Sequence, residues 1–159
     1  MADGVETVII TRRTARAILF DDAGRLVLIK RTRPGQAPYW TTAGGGVEPA
    51  DASVEAAMHR ELKEELGAEA AGASQVLLFS FPDREGLAVA HFFVARLVRM
   101  DVSARNGPEF ADPARGAYDP DTVELCGDAL AELDLRPPEL KRFILANREA
   151  LLAEAGLLG

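Results

Sequence analysis

Residues 44–68 read GGGVEPADASVEAAMHRELKEELGA, and the fold turns on this stretch. Three glycines lead through a short connection into a segment that ends in a knot of acid. On a helix, Glu61, Glu64 and Glu65 stand at i, i+3 and i+4 and share a face. Three like charges side by side destabilise a helix unless positive charge sits among them. Arg60, four residues before Glu64, supplies one such charge. A hard divalent cation is the natural second, because Mg2+ takes oxygen ligands and shares its remaining positions with water and phosphates. Leu62 and Leu66 form an adjacent apolar strip that anchors the helix. The eight residues RELKEELG also suit a solvated helix surface. The glycines upstream separate the two readings, since a backbone without side chains approaches a ligand closely.

The whole chain sets the frame for this stretch. Its 159 residues suit one domain, and 48% apolar content is enough to bury a core. A net charge of −7 argues against a bulk nucleic-acid binder, which carries a basic footprint. It leaves open a small anionic substrate, because a bound cation reverses the local sign. The single cysteine, Cys126, excludes an intramolecular disulfide and reads as a small buried residue. No apolar run approaches the ~20 residues of a membrane span. The expectation is a cytoplasmic protein.

Outward from the glycines, residues 7–20 are rich in β-branched and apolar types and read as strand, with a break near Arg12–Arg13. Residues 21–24 make a turn, and 25–31 a second strand of a hairpin. Residues 32–39 are a loop. Asp51 or Ser53 caps a helix that runs to Leu66, with Gly67 as its stop. Residues 73–81 and 87–98 read as two strands around the turn 82–86. Residues 99–118 read as a long loop or lid, 121–126 as a last strand, and 137–156 as one terminal helix with a proline entry. The order gives one α/β domain with a mixed sheet between helices.

These residues resemble the Nudix hydrolases. Their box runs glycine, five residues, glutamate, seven residues, Arg-Glu, an apolar residue, any residue, Glu-Glu, any residue, glycine, an apolar residue. Residues 60–68 match its second half throughout. In the first half the glutamate position is Ala52, and the nearest acid, Asp51, stands one place early. The departure reads as one extra residue in the connecting loop, with Asp51 standing in as an N-cap at the box entrance.

The resemblance implies an α/β/α sandwich over residues 12–150, with 1–11 an N-terminal segment and 151–159 the end of the C-terminal helix. It implies a Mg2+- or Mn2+-dependent hydrolase that cleaves the diphosphate linkage of a nucleotide or nucleoside diphosphate derivative with metal-activated water. Glu61, Glu64 and Glu65 would hold the metal, with the Gly45 carbonyl an extra ligand. Glu64 and Glu61, with Arg60, are the catalytic candidates, and the base is one of the two glutamates or Glu109 in the 99–118 loop. Asp119 and Glu124 are weaker candidates. Arg33, Trp40 and Glu48 are candidate substrate contacts, while His59 and His91 lack metal-spaced partners. The expected partner is a small nucleotide or diphosphate, with no nucleic acid or membrane and a homodimer allowed. The rival reading is a nucleotide-binding sensor with little or no hydrolysis.

Overall fold

The computed structural model describes Gly4 and residues 7–158. Its strands are β1 (Ile10–Phe20), β2 (Leu26–Thr32), β3 (Tyr39–Thr41), β4 (Gly44–Gly46), β5 (Ala68–Asp83), β6 (Gly86–Met100) and β7 (Ala117–Val123). The helices are α1 (Val54–Leu66), α2 (Ala129–Glu132), α3 (Pro138–Ala146) and α4 (Arg148–Glu154). The sheet runs β3-β2-β1-β6-β5, with β4 on β1 and β7 on β2. β1 and β6 are parallel and the other pairs antiparallel, so the sheet is mixed.

Period-2 alternation divides the apolar residues between two faces. Ala15, Ala17, Leu19, Val27 and Ile29 meet Ala57, Met58, Leu62 and Leu66 of α1. Ile18, Phe20, Leu26 and Leu28 meet Leu130, Leu140, Ile144 and Leu151 of the other helices. Phe92 and Phe93 are both buried, one in each cluster. The result is a helix–sheet–helix sandwich, as read from the order of elements.

The expected hairpin forms, with Asp21 Oδ1 accepting from the amides of Ala23 and Arg25. Its two strands share only the pairs Leu19↔Val27 and Phe20↔Leu26, because the outer half of β2 turns to β3. The expected break at Arg12–Arg13 is absent. β1 is continuous, and its irregularity is a register shift between Ile10 and Arg12.

Four other expectations are corrected. The terminal helix is two helices, α3 and α4, parted at Asn147 (φ −130°, ψ 29°). The Asn147 side chain donates from Nδ2 to the Phe143 carbonyl (2.8 Å), a local bond that competes with helix continuation. The last strand lies at Ala117–Val123 rather than 121–126. The 99–118 loop shrinks accordingly to 101–116, folded into three short 3-10 turns. Cys126 is exposed rather than buried, since it follows the end of β7. No described helix is long and apolar enough to cross a membrane.

Candidate active site

α1 starts where Ser53, not Asp51, caps it: the Ser53 Oγ accepts from the Ala56 amide (3.0 Å). It stops at Gly67, whose left-handed φ of 60° suits glycine. Between them the apolar residues hold the helix against β1, and the acidic face turns to the glycine strand β4.

Contacts between the two elements are close. A Cβ on Gly45 would lie 2.6 Å from the Glu61 carboxylate, so a side chain there would push that carboxylate aside. The Gly44 amide donates to Glu65 Oε2 (3.4 Å). Burial dominates at Glu65 and pushes its carboxyl up to about 8, with the nearby Glu61 and Glu109 charges adding to the shift and Arg16 opposing it. Glu61 is pushed up as well, chiefly by burial, against the pull of Arg60. Glu64 is the more open acid, its side chain 31% exposed.

Arg60 ties the arrangement together. Its Nε and Nη2 donate to the two Asp51 oxygens (2.9 and 3.0 Å) and Nη2 donates to the Gly46 carbonyl (2.9 Å). Nη1 reaches Glu61 (3.0 Å) and Glu64 (3.3 Å), with Glu48 at 3.7 Å. Asp51 also accepts from the Glu48 amide (2.8 Å). The Arg60 bonds, first among these causes, hold the Asp51 carboxyl down at about 2. Asp51 is thus the two-toothed partner of Arg60, not a helix cap.

The expected extra loop residue is also absent. Five residues (47–51) separate Gly46 from position 52, and seven (53–59) separate that position from Arg60. The connection has the box's own length, and only the acid has moved, by one place.

Other candidates fall into two groups. Glu48 lies beside Arg60, next to the acid cluster. Glu109 acts on Glu61 and Glu65 as a neighbouring charge, and the adjoining Asn106 and Gly107 amides both donate to the Glu64 carbonyl (3.0 Å each). Trp40 packs against the α3–α4 cluster and donates from Nε1 to Asp121 (2.8 Å), on the face away from α1. Arg33 sits in the β2–β3 turn with its stem beside Gly116. Asp119 pairs across from Lys30, and Glu124 lines a surface cavity with Cys126. His59 is half-buried beside Glu55, and His91 is buried between Arg13 and Gln75. Arg16, desolvated beside Glu65 and bonded to the Thr42 carbonyl (2.9 Å), escaped notice in the sequence. A lone cation inside the apolar run ARAILF was the available signal.

Among the described residues no three acids, histidines or cysteines stand close enough to enclose a metal as they are. The donor chemistry nonetheless fits a hard cation. Oxygen is the ligand type such ions take, and Glu61 and Glu65 bring two desolvated carboxyls together beside the more open Glu64.

The NUDIX domain family model matches residues 10–139. The chain belongs to the Nudix family. Solved structures agree in fold: a NUDIX hydrolase from Nitrosomonas europaea superposes with a TM-score of 0.67 at 17% identity, over 87% of this chain and 88% of that one. A MutT NUDIX hydrolase from Burkholderia pseudomallei is 27% identical, with a TM-score of 0.57 over 85% of this chain and 95% of that one. The ORF135 protein of E. coli is 24% identical, with a TM-score of 0.58 over 87% and 91%. Among curated proteins none matches the sequence. The protein is a Nudix-type hydrolase.

Proposed function

We propose that this Nudix hydrolase cleaves the diphosphate linkage of a nucleotide or nucleoside diphosphate derivative and depends on Mg2+ or Mn2+. The observation that carries the reading is the seating of Glu61 and Glu65 against the side-chain-free β4, with Glu64 open to water beside them. Glu61, Glu64 and Glu65, with the Gly45 carbonyl, are the groups to hold the cation. When bound, that cation neutralises the diphosphate and lowers the pKa of an attacking water. Arg60, fixed by Asp51 and the Gly46 carbonyl, holds Glu61 and Glu64 in single rotamers, which keeps the acids in a reproducible geometry. Glu64, the most exposed of the three, takes the proton of the attacking water.

The test is a panel of nucleotides and diphosphate-linked nucleosides with Mg2+ and Mn2+, scoring released phosphate or monophosphate. Glu64→Gln loses roughly a hundredfold or more in rate with an unchanged melting temperature. Equal rates in the two proteins would sink the assignment. The sensor reading draws on one observation, that Arg60 already engages two of the three acids. It is chosen if nucleotide and Mg2+ bind but no product forms.

A further inference from the structure

Arg31 is a buried cation without an anion. Val27 and Ile29 face α1, so Arg31, two residues further on, faces the same side of β2. It stands between its register partners, Tyr39 on β3 and Tyr118 on β7. It is 9% exposed, and no carboxylate among the described residues pairs with it. Its guanidinium lies 3.6 Å from the Tyr118 ring centroid and 5.7 Å from that of Tyr39. Nη1 donates to the Tyr39 hydroxyl (3.3 Å), Nη2 donates to the Arg115 carbonyl (2.7 Å), and Nε is buried without a partner. A desolvated cation is costly to a fold, and two of these contacts lead into the 101–116 turns and the strand that follows them.

No residue of the three 3-10 turns is buried, so apolar packing does little to hold them. Tyr118 is their shared support. Arg31 covers its ring face, and the Phe110 ring meets it edge-on at 5.6 Å. Arg105 donates to the Tyr118 carbonyl (2.7 Å) and lies 4.3 Å over the Phe110 ring. Glu109, next to Phe110, is brought back toward α1 by the same contacts. Its carboxylate lies against Gly107, where a Cβ would push it aside, and the Gly107 amide rests on the Glu64 carbonyl. From there the Glu109 charge bears on Glu61 and Glu65.

We propose that Arg31 is a positioning residue: clamped on Tyr118, it fixes the 101–116 turns and so keeps the Glu109 carboxylate beside Glu61 and Glu65, where it adds to their hold on a cation. This rests on the proposed metal site, and it is tested apart from hydrolysis.

The experiment compares the wild type with Arg31→Met, Glu109→Gln and the double variant. Methionine replaces an unpaired buried cation by an apolar side chain of similar length, so the melting temperature is kept or raised. The turns loosen, and native-state trypsin cuts after Arg105 and Arg115 about tenfold faster, while cutting after Arg142, exposed on α3, keeps its rate. Calorimetry then reads Mg2+ affinity. Removing a cation would by charge alone strengthen Mg2+ binding, whereas Arg31→Met weakens it about fivefold or more. In the Glu109→Gln background the same substitution brings no further loss. Phe110→Ala, which breaks the contact from the loop side, reproduces both effects and serves if Arg31→Met does not fold. Unchanged cutting of the turns, cutting that rises equally at Arg142, an equal Mg2+ loss with and without Glu109, or no Mg2+ binding by the wild type overturns the inference. If Mg2+ binding depends on Arg31 through Glu109 while no nucleotide in the panel is hydrolysed, the hydrolytic reading falls and the positioning role stands.

Discussion

Asp51 holds Arg60 through both oxygens, and its carboxyl is held at about 2. A carboxylate whose folded value lies below its ordinary ~3.9 adds stability that is present above that value. The contribution is lost as pH falls toward about 2. In acid unfolding followed by circular dichroism, Asp51→Asn is therefore less stable than the wild type at neutral pH, and the gap closes between pH ~4 and ~2. Glu65 runs the other way. Its carboxyl is pushed up to about 8, so the metal-free protein loses stability as pH rises from ~4.3 through that value. Glu65→Gln flattens that slope in metal-free denaturant melts. On the proposed metal site, added Mg2+ is expected to raise wild-type stability most at the alkaline end, where the Glu65 carboxylate is ionised. A wild-type profile as flat as that of the variant would contradict the burial of Glu65.

At the scale of elements, α1 is set by its two ends. Ser53→Ala removes the cap and costs about 1 kcal/mol, read as a shift in the denaturant midpoint. Gly67 is the stricter end. It combines a left-handed backbone with a site where a Cβ would collide with the Asp101 carbonyl. Gly67→Ala therefore costs more than the ~1 kcal/mol of a simple left-handed strain, and it displaces the Asp101 turn that follows β6. These two ends were legible in the sequence because caps and stops are local chemistry. The break at Asn147 was not, since its neighbours keep helical spacing and only the side-chain bond to Phe143 interrupts them. The register shift in β1 and its long parallel pairing with β6 were illegible for a different reason: strand partners lie far apart in sequence and leave no local mark.

Across the whole molecule, two separate apolar clusters back the two faces of one sheet, and only the α1 cluster supports the site. Leu140→Ala, in the α3–α4 cluster, costs about 2–5 kcal/mol in thermal or urea melts while Mg2+ affinity at a temperature below the transition is kept. Leu62→Ala, in the α1 cluster between Glu61 and Lys63, costs a similar amount and also weakens Mg2+. The fold class and the acidic helix were readable because both follow from periodicity and charge spacing on one element. The placement of Trp40 on the far face, the role of Asp51 and the presence of Arg16 depend on which strands adjoin, which the sequence alone leaves open.

The 101–116 turns carry a consequence for observing the enzyme at work. The amides of Asn106 and Gly107 both rest on the carbonyl of Glu64, one residue of the acid triad. Their protons are a native gauge of the last turn of α1. If nucleotide and Mg2+ draw Glu64 inward, hydrogen exchange at these two amides slows or quickens together, and the neighbouring amides of α1 keep their rates. The site thus announces its occupancy through the backbone of a neighbouring loop, without label or mutation.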